Sequence, residues 1–326
     1  MPNRSTGELE MSPARSNRVI LSASEESRYS SKVGGNGTSS FVPQDDTTLH
    51  RRRRPRDGWR VLAAVAAAAL FMAPIAFMFT TSLRQIGIPL SRQLEVFPQS
   101  PSWDNYPAAF DLAGMGQSAL NSALVVALAV PLTILVASLA GFAMSQLPQR
   151  PRLILTLMSF AVLMTPVTAV WLPRFVLFKE AGLLDSRLAL VVPALGGTSP
   201  FFVLLFLWTF LRVPTEIYES ARLDGAGALR LWAGIAMPLA RPTIVAIGML
   251  AFVTYWGNFI DPLLYLRSPE KMTLPYSLQM LYQLDATNWP LLMAGSVLVT
   301  APVVMVFVVA QRSFLQQFRE QGWLGR

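Results

Sequence analysis

Six charge-free apolar stretches constrain this chain more than any other feature. They run Val61–Leu83, Ser118–Ser145, Leu153–Pro173, Leu188–Leu211, Pro242–Ile260 and Pro290–Gln311. A bilayer core about 30 Å thick is crossed by about 20 apolar residues in a helix rising 1.5 Å per residue. Each stretch is near or beyond that length. A charge at the centre of one would cost about 2.5–3.5 kcal/mol, and none carries one. Composition agrees: 52% of the chain is hydrophobic and 14% charged, where a soluble domain carries about 25% charged residues. The expected fold is an all-α integral membrane protein with six transmembrane helices.

Basic residues orient the spans, because cytoplasmic loops carry an excess of Lys and Arg. With the end bearing Arg51, Arg52, Arg53, Arg54, Arg56 and Arg60 inside, the inside segments hold 15 basic residues and the outside loops hold seven. Both termini are therefore expected in the cytoplasm, which agrees with an even number of spans. Residues 1–50 are rich in Ser, Arg, Glu, Gly and Asn and lack periodicity. Such a segment cannot bury enough apolar surface to offset its ordering entropy. Residues 1–58 read as a disordered basic cytoplasmic tail, and residues 59–326 as the membrane domain. No apolar region follows the start, so the tail is not read as a signal peptide. The run Arg51–Arg54 could meet nucleic acid. The reading kept is an orientation signal touching anionic lipid, with no nucleic-acid partner.

The chain has no cysteine and one histidine, His50, outside every apolar stretch. That removes disulfides, thiol nucleophiles, multi-histidine metal sites and a Ser–His–Asp hydrolase. The six stretches hold no ionisable group, which speaks against an ion-coupled secondary transporter. They offer no catalytic set for an intramembrane enzyme either. No catalytic residue and no metal ligand is expected.

The segment between the fourth and fifth stretches, Arg212–Arg241, is longer than a simple connection. Pro214 suits a first helical turn, and Glu216 and Glu219 complement the positive helix start. Ile217 and Ala221 share a face, with Tyr218 beside them. Asp224-Gly225 reads as a stop, with Gly225 free to turn left-handed. A second helix follows from about Ala226, with Leu229, Trp232 and Ile235 forming an apolar face. Pro238 and Pro242 mark the return to the membrane. Taken alone, this helix–turn–helix could be an interfacial hairpin or a docking knob for a partner.

Glu219-Ser220-Ala221, then Gly225 after three residues, then Ile235 after nine, Met237 and Pro238 resemble the "EAA" loop of binding-protein-dependent ABC importer permeases. Ser220 and Met237 replace the usual Ala and Leu. Trp103-Asp104-Asn105-Tyr106, Asn121-Ser122, Trp256-Gly257-Asn258-Phe259, Pro262-Leu263 and Thr273-Leu274-Pro275 are similar to the carbohydrate branch, typified by the smaller maltose-type permease. The resemblance covers roughly Arg60 to Gln311. The C-terminal tail departs: Gln316–Arg326 keeps Gly322 and Gly325 but lacks the final Lys-Gly usual in the family.

The resemblance implies half of an import pore in a bacterial or archaeal cytoplasmic membrane. Its implied partners are a second, homologous permease, two ATP-binding subunits and an extracytoplasmic solute-binding protein. This chain lacks a Gly-x-x-x-x-Gly-Lys-Ser/Thr phosphate loop. ATP and Mg therefore belong to the partner subunits, and no cofactor belongs to this chain. The implied coupling residues are Glu219, Ser220, Ala221, Asp224, Gly225, Ile235 and Pro238. Sugars are held by aromatic faces and hydrogen-bonding side chains, so Asn121, Tyr255, Trp256, Asn258 and Asp261 are candidates for the solute path. The alternative for these is structural: interface anchoring by Trp and Tyr, helix-to-helix bonding by Asn, and a span-end cap by Asp261. The same architecture could also carry glycerol phosphate or another solute.

Overall fold

The computed structural model describes residues 58–87 and 97–320, with side chains described up to residue 312. The tail ahead of Gly58, its arginine run and the last six residues lie outside the described residues. Chain contacts separate Met1–Gly58 from Trp59–Arg326, and, Gly58 at the start of the first helix apart, the second unit holds the elements that follow.

Every regular element among the described residues is helical. The order is α1 (Gly58–Ser82), α2 (Asn105–Ala113), α3 (Met115–Ser145), α4 (Gln149–Leu163), α5 (Val167–Glu180), α6 (Leu188–Val191), a 3-10 turn (Val192–Gly196) and α7 (Pro200–Phe210). Then come α8 (Thr215–Leu223), α9 (Ala228–Leu231), a π turn (Trp232–Ala236), α10 (Met237–Leu239) and α11 (Arg241–Trp256). The last are α12 (Ile260–Tyr265), a 3-10 turn (Pro269–Lys271), α13 (Leu274–Leu284) and α14 (Trp289–Glu320).

Four described segments are long and apolar enough to cross a membrane: Gly58–Ser82, Met115–Ser145, Leu188–Phe210 and Trp289–Arg312. Two bent pairs pass the same test together. Gln149–Leu163 and Val167–Glu180 meet at 93°, and Ala228–Leu239 and Arg241–Trp256 meet at 83°. The chain is thus an all-α, multi-pass membrane protein with four such segments, or up to six with each bent pair as one span.

The expectation of one continuous helix over Leu153–Pro173 is corrected by the break between α4 and α5. Pro166 has no N–H to donate and biases Thr165 away from helical backbone, so α4 ends just before it. The Leu188–Leu211 stretch is also interrupted: Gly197 and Thr198 both take positive φ, +71° and +63°, between the 3-10 turn and α7. The fifth stretch ends as a helix at Trp256, four residues before Ile260.

Helix α3 is the central mast. Val125, Ala129, Thr133, Ala137 and Gly141 recur every four residues along it, and all are buried. A stripe of small side chains lets neighbouring backbones approach, which is how helices associate without a water-driven force between them. Approach is closest at Gly141, where a Cβ would lie 2.7 Å from Phe206 Cβ and 2.8 Å from the Val203 carbonyl oxygen. Two large apolar clusters and a small one of Met144, Leu204 and Leu207 form around the mast. One large cluster joins Ala109, Met115, Val125, Tyr255, Tyr265 and Leu281. The other joins Ala137, Phe142, Phe206, Phe210, Ile247 and Ala251.

By contrast, α1 buries none of its apolar window. A groove of about 360 Å³, lined by Met72, Ile75, Met249, Val253, Val303 and Phe307 among others, lies between it and α11 and α14. Only its end is fixed. Thr81, Ser82 and Leu83 are buried, and the Asn105 amide donates to the Ser82 carbonyl at 2.9 Å.

Candidate functional site

Two places collect the residues that the sequence marks. The first is the knob made by α8, the turn at Gly225 and the segment Ala228–Leu239. Pro214 stands just ahead of α8, and Glu216 lies in its first turn. The helix ends in a Schellman arrangement. Gly225 N–H donates to Arg222 C=O at 3.0 Å, and Ala226 N–H to Ala221 C=O at 2.9 Å. Gly225 has φ +80°, a backbone that glycine adopts without the Cβ penalty.

One side of α8 is anchored. Tyr218 is buried, and its ring meets Phe142 of α3 edge-on. Phe142 in turn meets Phe210 of α7 with centroids 5.7 Å apart. Burial pushes the Tyr218 phenol above its ordinary value. The Arg222 guanidinium donates to the Gln146 amide oxygen beyond α3.

The other side is bare. Glu219, Ser220, Asp224, Gly225 and Pro238 are exposed, while Ala221 and Ile235 are half-buried toward the second cluster. The Glu219 side chain makes no hydrogen bond or ion pair among the described residues. Leu223 is 90% exposed and Leu229 71%. The expected packed face of Leu229, Trp232 and Ile235 therefore needs correction at Leu229. The buried row is Leu231, Ala236 and Ala240. Its first step of five follows from the π turn, which adds a residue to one helical revolution.

The second place is a cavity of about 410 Å³ where three helix breaks converge. Val167, Trp171 and Arg174 reach it from one face of α5, just past the Thr165-Pro166 break. Pro193 and Thr198 come from the interruption before α7. Thr254, Tyr255, Gly257, Asn258, Phe259, Ile260 and Asp261 come from the gap between α11 and α12. Irregular backbone at membrane depth is tolerated where it lines a cavity, and discontinuous helices mark solute sites in transporters.

Thr198 shows the constraint. A β-branched residue at φ +63° is strained and persists only when its surroundings hold it. Here the Thr198 hydroxyl bonds the Tyr255 hydroxyl at 2.7 Å and also the buried Thr133 hydroxyl of α3. Across the cavity, Arg174 Nη1 donates to Asp261 Oδ2 at 3.4 Å. The Asn258 Nδ2 group donates to the same oxygen at 2.8 Å, and Asn258 Oδ1 accepts the Asp261 backbone N–H at 3.1 Å. Asn258 thereby caps the start of α12.

Tyr255, Asn258 and Asp261 thus come together, but Asn121 and Trp256 sit elsewhere. Asn121 is fully buried. Its amide donates to the carbonyls of Glu270 and Met272 at 2.8 and 2.9 Å, tying α3 to the segment before α13. The Trp256 indole N–H donates to the Val299 carbonyl of α14 at 2.9 Å. Trp171, Arg174 and Thr198 were not among the sequence candidates. The i, i+4, i+7 spacing of Val167, Trp171 and Arg174 after a Thr-Pro break is the signal that could have found the first two.

Among the described residues, no group of three His, Cys, Asp or Glu could hold a metal ion. The profile of the family described as "Binding-protein-dependent transport system inner membrane component" matches residues 115–320. The chain is 31% identical over 261 residues to the arabinooligosaccharides transport system permease protein of Halalkalibacterium halodurans, covering 79% of this chain and 91% of that one. It is 27% identical over 266 residues to the sulfoquinovosyl glycerol transport system permease protein of Agrobacterium fabrum, covering 82% and 93%. Among solved structures, a bacterial ABC transporter involved in the import of the acidic polysaccharide alginate superposes with a TM-score of 0.65 at 22% identity. That match covers 78% of this chain and 96% of the solved one. This chain belongs to the family of inner-membrane components of binding-protein-dependent transport systems.

Proposed function

We propose that this chain forms half of the translocation pore of an ATP-driven importer. In this reading the knob is its contact with an ATP-hydrolysing subunit, and the cavity at the helix breaks is its stretch of the solute path. The chain is a permease subunit of a sugar or oligosaccharide importer; its relatives are named as permeases for arabinooligosaccharides, lactose and melibiose, raffinose and stachyose. The family is a non-catalytic membrane component. Hydrolysis of ATP, with its Mg, is assigned to separate subunits, and delivery of solute to an extracytoplasmic binding protein. A second, homologous permease completes the pore. Both termini and the knob are assigned to the cytoplasmic side, following the basic residues of the loops.

One observation carries the coupling role. The α8 helix is anchored to α3 through Tyr218 and bare on the side of Glu219, Ser220, Leu223 and Asp224. A helix held on one side and exposed on the other can transmit a displacement between a partner and the membrane bundle. It supplies the two-state element that a nucleotide-driven partner biases.

The test is reconstitution of the full complex in liposomes. Uptake of a neutral oligosaccharide delivered by the cognate binding protein should require ATP and the ATP-hydrolysing subunits. Uptake that persists without those subunits and follows a proton or sodium gradient would refute the reading.

A further inference from the structure

The cavity has an internal charge balance that bears on its cargo. Arg174 and Asp261 are the charged groups that line it, and they are paired at 3.4 Å with side chains 24% and 14% exposed. The pair is net neutral. Asn258 fixes the carboxylate by donating to Asp261 Oδ2. Asp261 Oδ1 accepts no hydrogen bond among the described residues.

Three of the remaining hydroxyls are already committed, while the Trp171 indole N–H makes no hydrogen bond among the described residues. Thr198 and Tyr255 bond each other, and the Thr254 hydroxyl donates to the Leu250 carbonyl. Trp171, Tyr255 and Phe259 add flat apolar faces. A guanidinium beside a carboxylate presents donors next to acceptors. Adjacent sugar hydroxyls, each both donor and acceptor, match that arrangement. A carboxylate or sulfonate on the cargo would instead meet the Asp261 charge at close range, where like charges repel and discriminate.

We propose that Arg174 and Asp261 form a charge-neutral recognition pair, and that Asp261 makes this cavity select uncharged glycans over acidic ones. The inference rests on the cavity being the solute path, as assigned above. Removing either charge unbalances the site in a known direction. Asp261→Asn leaves Arg174 uncompensated and favours an anion. Arg174→Gln leaves Asp261 uncompensated and disfavours one.

The experiment uses the whole complex in nanodiscs, with arabinotriose as the neutral probe and trigalacturonate as the acidic probe. The parent should bind arabinotriose at least tenfold tighter. Asp261→Asn should shift the affinity ratio at least tenfold toward trigalacturonate, and Arg174→Gln should shift it the other way. An unchanged ratio in both variants, or a parent that prefers the acid, overturns the proposal.

A second measurement needs no glycan. The chain has no cysteine, so Thr254→Cys places one thiol of this chain on the cavity wall. The ratio of its modification rates by anionic and cationic methanethiosulfonates should rise at least fivefold with Asp261→Asn and fall with Arg174→Gln. Equal ratios in all three backgrounds overturn the proposal. Binding-protein-stimulated ATP hydrolysis in the same preparation separates the two failures. If hydrolysis is stimulated and the ratios stay fixed, the pair fails and the importer stands. If hydrolysis is never stimulated, the importer reading itself fails.

Discussion

Tyr218 of α8 stands edge-on to Phe142 of α3, with ring centroids 6.0 Å apart and planes at 69°. This contact joins the knob to α3, which, like α11, contributes to both of the large apolar clusters. Displacement of α8 is therefore delivered to the mast of the bundle rather than to a peripheral helix.

The Tyr218 ring should matter, and its hydroxyl should not. The hydroxyl is buried without a hydrogen-bond partner among the described residues, so Tyr218→Phe removes an unsatisfied group and should leave coupling intact. Tyr218→Ala opens a cavity beside Phe142 and should weaken knob docking by about 3–5 kcal/mol. Co-purification of the ATP-hydrolysing subunits and stimulated hydrolysis would report this. Equal loss in both variants would contradict it.

Gly225 and Gly141 should fail in different ways. At Gly225 a Cβ would meet nothing within 4 Å, but φ is +80°. Gly225→Val should cost about 1–2 kcal/mol in backbone strain alone. Membrane expression should stay near normal while stimulated ATP hydrolysis is lost. Gly225→Asn, which tolerates this backbone, should retain most activity.

At Gly141 the obstacle is space. Even Gly141→Ala must push α7 away from α3, because Phe206 and Val203 already occupy the Cβ position. Overpacking of this kind costs about 1–3 kcal/mol. Reduced thermal stability of the detergent-extracted protein is the expected outcome. A stability equal to the parent would show that α3 and α7 separate freely.

Asp185 should stay ionised in acid. Lys271 first, then Ser268, hold its carboxyl well below its ordinary value of 3.8. It accepts from Lys271 Nζ at 2.8 Å and from the Ser268 hydroxyl at 2.6 Å. For a depressed carboxyl, the stabilising contribution is complete above the ordinary value and fades as pH falls below it toward the folded value. Lys271→Met should move the titration back up toward 3.8. Carboxyl-carbon shifts of labelled protein would show it: at about pH 3 the variant carboxyl is more protonated than the parent's, while the Ser268 and Arg267 donors still hold it below 3.8.

The long apolar helices were legible because hydropathy and helix length are properties of composition over a window. Both ends of α1 and α3 and the start of α14 fall within a few residues of the stretches, and α14 runs on to Glu320, past the Gln311 end of the sixth. The Gly225 turn was legible because a left-handed helix stop has a local signature. The breaks were less so. A charge-free window reports how well a segment suits lipid and says nothing about whether its backbone is continuous, so Pro166 and Gly197–Thr198 were passed over. The helices α2 and α13, in segments read as loops, went unnoticed. For single polar residues, identity does not say which way the group points. Asn121 spends its amide on two carbonyls, while Asn258 spends its own beside a cavity. Leu229 lies on the exposed face because its three-residue repeat with Trp232 and Ile235 runs into a π turn.

A helix seated at one end is a cantilever. Substitutions along the free length of α1 remove no contact inside the two large clusters of this chain. They will be silent in any measurement of how firmly those clusters hold together. What α1 must satisfy is set by its surroundings: the thickness of the bilayer and whatever surface lies alongside. Its length and hydropathy are free to track those demands, while the seat at Thr81, Ser82 and Asn105 must answer to the rest of the chain.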